Sequence, residues 1–145
     1  MWSVHDVAAY ILARAGNMTA MKLQKLVYYA QAWSLVWDER PLFREAIEAW
    51  ANGPVCPVLY RWHQGRFSVG PAPTPPGDAH AIDQAGRETI DAVLNFYGDK
   101  PAQWLSDLTH AEDPWRDARR GLGAGERGNV PITHAAMAEY YSGLA

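Results

Sequence analysis

Three small groups of residues have side chains that could carry chemistry. The first is Cys56 and His63, which lie seven residues apart near a predicted helix start. A cysteine beside a histidine can act as a nucleophile and its base. Their spacing supplies no third group to orient the histidine, which such a pair also needs. A small buried cysteine beside a surface histidine is therefore the favoured interpretation.

The second group lies in the segment THAEDPW, which brings together His110, Glu112 and Asp113. Two such side chains could hold a divalent metal, although catalytic zinc sites use three protein ligands and one open position. The segment is equally well interpreted as a helix end followed by a helix start, with Asp113 as the cap. A small metal-dependent hydrolase that uses His110 and Glu112 is an alternative, but we expect no cofactor.

The third group belongs to a possible helix-turn-helix, since two predicted helices flank a short turn. Lys22, Gln24 and Lys25 could then face base edges, as the start of a recognition helix does. The formal net charge is −3, whereas a nucleic-acid binder usually carries a basic patch. A DNA-binding protein stays an alternative, but nucleic acid is not an expected partner.

The spacing of apolar residues predicts a mainly α protein, a compact helical bundle built around one central helix. This helix follows the N-cap Thr19 and covers about 20–37. Its predicted core face consists of Leu23, Leu26, Ala30, Trp33 and Trp37. A helix that is apolar on all sides is buried on most of them. Six further helices are predicted near 4–15, 58–64, 84–97, 101–108, 114–118 and 134–141.

Small β elements are predicted near 47–51 and 66–69, and Asn52-Gly53-Pro54 is a strong turn signal. Glycine and proline are concentrated in 65–77, which predicts a flexible loop, and a second loop is expected near 121–129. Neither is long enough to separate two domains. The 145 residues are therefore expected to form one domain over 1–145.

Composition limits the compartment and the kind of partner. The chain has seven Trp and seven Tyr, which build cores but also anchor protein interfaces. Its single cysteine allows no intramolecular disulfide. No apolar run approaches the roughly 20 residues that cross a bilayer. We therefore expect a cytoplasmic protein without a membrane partner.

The central helix carries two further stripes, one through Gln24, Tyr28 and Gln31 and the other through Lys25 and Tyr29. Two interpretations are open. The tyrosines could be half-buried, with their hydroxyls bonded at the edge of the core. Alternatively, this part of the helix could line a groove that a partner protein fills, with the tyrosines as anchors.

Four segments together resemble the Panacea domain, the family of SocA-like antitoxins and phage-associated GepA-like proteins. They are MKLQKLVYYAQAW, PLF…IEAWANGPVCPVLY, LTHAEDPW and the closing PI…MAEYY, and the resemblance extends from Ser3 to Tyr141. It implies a bacterial or phage antitoxin, without enzymatic activity, that neutralises a cognate protein toxin by direct binding. Within the family the alternative is a proteolytic adaptor that delivers its toxin to a bacterial AAA+ protease.

The toxins of this family are diverse, so the resemblance implies that the shared residues mainly hold the fold. Variable residues near the 65–77 loop or on exposed faces would then select the toxin. The candidate partner-binding residues come from the central helix, the turn and the THAEDPW segment. They are Gln24, Lys25, Tyr28, Tyr29, Gln31, Trp50, Tyr60, His110, Glu112 and Trp115.

Overall fold

The computed structural model describes residues 1–145 and is mainly α, as predicted, with five short strands. Its helices are α1 (Val4–Ala15), α2 (Ala20–Trp37), α3 (Pro57–His63), α4 (Gln84–Tyr97), α5 (Ala102–His110), α6 (Asp113–Ala118) and α7 (His134–Ser142). Its strands are β1 (Met18–Thr19), β2 (Ile47–Trp50), β3 (Gly53–Val55), β4 (Ser68–Val69) and β5 (Pro131–Ile132). A 3₁₀ turn covers Ala79–Ala81.

Side-chain caps fix where most of the helices begin. At α1 the Ser3 hydroxyl accepts from the Asp6 amide at 3.2 Å, and the Asp6 carboxylate accepts from the Ser3 amide at 3.0 Å. Thr19 caps α2 by accepting from the Lys22 amide at 3.1 Å. The predicted cap at Asp113 is wrong by one residue. Glu112 holds the N-cap position of α6 without a side-chain bond, and Asp113 lies in the first turn.

Helix α2 is the centre of the fold and contacts α1, α4, α5, α7 and β3. Leu23, Leu26 and Ala30 on its predicted core face are fully buried. Trp37 departs from the prediction, because its side chain is 48% exposed. Helix α2 ends at Trp37, where it leaves the core, and the Trp37 ring stacks on the partly buried Trp33.

Two small antiparallel sheets lie beside the helices. One has the order β3-β2-β5 and pairs Trp50 with Gly53 and Ile47 with Ile132. This confirms the β element predicted near 47–51, although Gly53 and Pro54 already belong to β3 and not only to a turn. The other sheet pairs β1 with β4, within the segment predicted at 66–69. Strands β1 and β5 were not predicted, because two residues show no periodicity.

The proline-rich segment after β4 is attached to α1. The Asp78 amide donates to the Asp6 carboxylate at 2.7 Å, and Gly77 packs directly on the backbone of His5 and Asp6. None of the helices is long and apolar enough to cross a membrane.

Gly53 should tolerate substitution less well than other glycines with positive φ. It has φ +123°, and an added Cβ would lie 2.6 Å from Cε of the buried Lys25. Gly121 has φ +94° and open space around it. Strain at such a position costs about 1–3 kcal/mol. We expect Gly53→Ala to lower the free energy of unfolding by at least ~1 kcal/mol more than Gly121→Ala, because the contact with Lys25 adds overpacking. Urea denaturation measures both, and equal losses would contradict this view of Gly53.

Candidate functional site

A cleft of about 830 Å³ opens between the start of α2, the β2–β3 hairpin, α3 and the loop after α6. Four of the ten candidate partner-binding residues line it, namely Gln24, Lys25, Trp50 and Tyr60. We call it the Lys25 cleft. Its rim includes Phe67, which is 82% exposed, and the exposed Met21. The sequence predicted a flexible loop at 65–77, and the resemblance implied variable residues near it, but nothing indicated that Phe67 would border a cleft.

Gln24 fixes the α3 side of the cleft. Its carboxamide oxygen accepts from the Cys56 amide at 2.9 Å, and its nitrogen donates to the Cys56 carbonyl at 3.3 Å. Its nitrogen also lies 2.9 Å from Nε2 of His63. His63 was expected at the surface but is buried, and this burial lowers its pKa. Burial raises the pKa of the Cys56 thiol to about 11, which disfavours the nucleophilic thiolate.

Aromatic side chains hold the hairpin wall of the cleft in place. The indole N–H of Trp50 donates to the Glu48 carboxylate at 2.9 Å, and the Trp50 ring meets Tyr60 edge to face at 5.0 Å. From α6, the indole N–H of Trp115 donates to the Trp50 carbonyl at 2.8 Å. The THAEDPW segment therefore holds the β2–β3 hairpin, one wall of the cleft, in place.

Arg119 attaches the loop that forms the opposite wall. It is buried and donates to the carbonyls of Ala49 at 3.1 Å and Gly123 at 3.3 Å, with its guanidinium over the Trp115 ring. This loop brings Arg127, Gly128 and Asn129 to the cleft. Sequence reasoning missed Arg119, because nothing in its local pattern distinguishes it from an exposed arginine.

Lys25 lies in the lining of the cleft with only 1% of its surface exposed. Its Nζ has one long hydrogen bond, 3.4 Å to the Pro54 carbonyl, and takes part in no salt bridge. Because burial disfavours the charged form and no carboxylate compensates, the pKa of Lys25 falls from 10.5 to about 8. The other cationic residues of the cleft are Arg66 and Arg127, and its one carboxylate is Glu48.

Glu112 forms a second polar centre inside the protein. Its carboxylate accepts from the Tyr29 hydroxyl and the Tyr141 hydroxyl, each at 2.7 Å, and Tyr141 is also 3.0 Å from the Tyr28 hydroxyl. Burial raises the pKa of Glu112, although both hydroxyls favour its charged form. This network ties α7 to α2 and to the start of α6.

The sequence left open whether the polar stripes of α2 are buried or face a partner, and in the structure their side chains are buried. Six of the ten candidate residues have at most 5% of their surface exposed, and four of these six do not line the Lys25 cleft: Tyr28, Tyr29, Gln31 and Glu112. The carboxamide of Gln31 accepts from the Leu42 amide at 2.7 Å and donates to the Phe43 carbonyl at 2.8 Å. The tyrosine hydroxyls are bonded as in the first of the two interpretations, but deep in the core and not at its edge.

His110 and Trp115 are half-buried and stacked on each other, with ring centroids 4.0 Å apart. Burial lowers the pKa of His110, and its Nε2 has no hydrogen-bond partner. His110 and Glu112 are thus engaged separately, and no three His, Cys, Asp or Glu residues are grouped to hold a metal ion.

The burial of α2 also bears on the helix-turn-helix alternative. Gln24 and Lys25 are buried and cannot face base edges, while the Lys22 ammonium donates to the Gly98 carbonyl at 2.6 Å. A recognition helix would have to present such side chains to solvent.

Comparisons with known proteins place the chain in a family of antitoxin-like domains. Residues 23–116, more than half of the chain, match the family model described as antitoxin SocA-like, Panacea domain, and the chain belongs to this family. It is similar to antitoxin SocA of Caulobacter vibrioides (strain NA1000 / CB15N), with 34% identity over 114 residues. That match covers 71% of this chain and 61% of the length of the relative. No solved structure matches.

Two substitutions of Glu112 should distinguish the contribution of its hydrogen bonds to stability from the contribution of its charge. Glu112→Ala leaves the Tyr29 and Tyr141 hydroxyls without their acceptor, so we expect a loss of about 2–5 kcal/mol in unfolding free energy. Glu112→Gln keeps an accepting oxygen and should stay within about 1 kcal/mol of the original chain. Since the folded pKa of Glu112 is raised, its contribution to stability is lost as pH rises through that pKa, and Glu112→Gln should lack this loss. Denaturation between pH 4 and 8 tests this, and equal losses for both variants would contradict it.

Replacing Lys25 with methionine should stabilise the fold. Methionine keeps much of the aliphatic packing and removes an uncompensated cation, a gain of about 1–3 kcal/mol at pH 7. Between about pH 8 and 10.5 the unfolded chain holds a proton that the folded chain has released, so stability rises with pH through Lys25. The advantage of Lys25→Met should therefore shrink towards pH 10. A destabilised variant at pH 7 would contradict this description of Lys25.

Proposed function

We propose that this protein is a cytoplasmic antitoxin that neutralises a cognate protein toxin by binding it directly through the Lys25 cleft and its rim, without chemistry of its own. Membership of the SocA-like family supports a role as an antitoxin. The observation that supports direct binding most strongly is the cleft itself, which is bordered by exposed Met21 and Phe67 and lined by Trp50 and Tyr60.

The cleft has the chemistry of a protein-binding surface. Aromatic side chains often supply most of the free energy of an interface, provided that the partner excludes water around them. A stable complex buries about 1,600 Å² in total, so the toxin would cover the cleft and its surroundings. In this proposal a toxin segment enters the cleft while the rest of the toxin lies across the rim and loses access to its target.

The walls of the cleft suggest how different toxins could be selected. Gln24, Lys25 and the hairpin belong to the segment that the family model matches, whereas Arg127, Gly128 and Asn129 follow that segment. Phe67 lies on an exposed loop position, where a different side chain would disturb little of the fold. We propose that the 65–67 and 127–129 segments determine which toxin binds, on a framework that Trp115 and Arg119 hold.

Coexpression with the protein encoded next to this chain tests the proposed function. If that protein is the toxin, it should arrest growth alone, and coexpression should restore growth and yield a complex in size-exclusion chromatography. Restored growth with loss of the toxin, and dependence on a cellular protease, would instead indicate the adaptor alternative. If the neighbouring protein arrests growth, and coexpression of this chain neither restores growth nor yields a complex, the proposal is rejected for that pair.

Phe67→Ala and Phe96→Ala form a matched pair for locating the surface. Both rings are exposed, Phe67 at 82% and Phe96 at 62%, but only Phe67 borders the cleft. We expect Phe67→Ala to weaken the complex by about 2 kcal/mol, roughly 30-fold, and Phe96→Ala to have little effect. Calorimetry measures both, with melting temperatures as the control for folding. The opposite ranking would place the interface on the α4 side of the protein.

A further inference from the structure

Lys25 differs from the other polar side chains in the buried part of α2. Four of these have hydrogen-bond partners within 3.0 Å in the protein, namely Gln24, Tyr28, Tyr29 and Gln31. An ammonium group carries three N–H donors. The one hydrogen bond of Lys25, to the Pro54 carbonyl, is 3.4 Å long, so its donors are largely unused.

The cleft around Lys25 has two further cationic side chains, and its one carboxylate, Glu48, forms no salt bridge with them. Arg66 and Arg127 line the same cleft. Burial lowers the pKa values of His63 and His110, and the nearby charge of Lys25 lowers them further. Glu48 accepts the indole N–H of Trp50, and neither it nor any other carboxylate lies within 4.0 Å of Lys25, Arg66 or Arg127. Buried charges in folded proteins are almost always paired. Positive charge is therefore concentrated here, in a chain whose net charge is −3.

We propose that the Lys25 cleft binds a carboxylate side chain, an aspartate or glutamate on the partner-protein segment that fills it. This inference rests on the proposed function and names the chemistry of the toxin group that enters. Lys25 is the buried counter-ion, and Arg66 and Arg127 attract the acidic segment at the entrance. The Arg66 guanidinium lies 4.5 Å from the Trp62 ring centroid and donates to the Trp62 carbonyl, which orients it.

The free energy that burial of the Lys25 charge costs in the free protein would be recovered when a carboxylate binds. In the free protein the side chain is almost wholly shielded from solvent, and its ammonium group has no counter-ion. A carboxylate from the partner would satisfy the free donors in a water-poor site, where charge-assisted hydrogen bonds are strongest. The same substitution that stabilises the free protein, Lys25→Met, should for this reason weaken its complex. A lysine that only supports the fold would not show these opposite effects.

The first test uses the full chain and a simple probe. The chain contains three lysines, Lys22, Lys25 and Lys100, so their side-chain NMR signals can be followed separately through a pH titration. A hexaglutamate peptide should raise the apparent pKa of Lys25 by about 1 unit or more and leave the other two nearly unchanged. Hexaglutamine should change none of them. No change in Lys25 at millimolar hexaglutamate, or equal changes in all three lysines, would overturn the inference.

The second test uses the protein encoded next to this chain as the partner. We expect Lys25→Met to weaken binding about 100-fold and Arg127→Gln about 10-fold, with an effect that salt diminishes. Lys22→Met is the matched control, since Lys22 lies on the same helix outside the cleft, and its complex should be as tight as the original.

The two tests separate failure of this inference from failure of the proposed function. If the original chain and all three variants bind the partner equally, the carboxylate site is rejected while direct binding stands. If the original chain does not bind that partner, the proposed function fails for the pair. The hexaglutamate titration then decides by itself whether the cleft binds a carboxylate.

Discussion

The structure depends on how a central helix, buried on nearly every side, satisfies its polar side chains. Gln24 and Gln31 lie two turns apart on α2, and each pairs its carboxamide with the backbone of a neighbouring segment, Gln24 at Cys56 and Gln31 at Leu42 and Phe43. A buried amide without hydrogen-bond partners would cost free energy. These bonds therefore hold the neighbouring backbone segments in place as well as the two glutamine side chains. The start of α3 and the chain before β2 are held to the core in this way.

The same constraint connects the core to the surface that we propose as functional. Gln24 fixes the α3 side of the Lys25 cleft, while Glu112 joins α6 and α7 to α2 through Tyr29 and Tyr141. Helix α6 in turn contributes Trp115, which bonds to the hairpin that forms another wall. Among the buried polar side chains of this helix, Lys25 alone has no hydrogen bond shorter than 3.4 Å.

Much of the architecture could be predicted from the sequence, because helices of nine or more residues carry clear apolar spacing and recognisable caps. The central position of α2 could be predicted because the helix has almost no charged residue beyond Tyr28.

The site could be predicted less well. A polar residue in an apolar helix looks the same whether it bonds internally, like Gln31, or borders a cleft, like Lys25. Arg119 and Phe67 gave no signal, because their roles depend on a loop that folds back onto β2 and on the exposure of one ring.

The most direct measurement of where the toxin binds is amide hydrogen exchange of the chain alone and in its complex. Binding in the Lys25 cleft should slow exchange in 48–52, 64–67 and 127–129, which form its walls and rim. The exposed surface around Phe96 and Trp104 should exchange as it does in the free chain. Slower exchange confined to that second surface, with the cleft segments unchanged, would contradict the assignment of the cleft as the toxin-binding site.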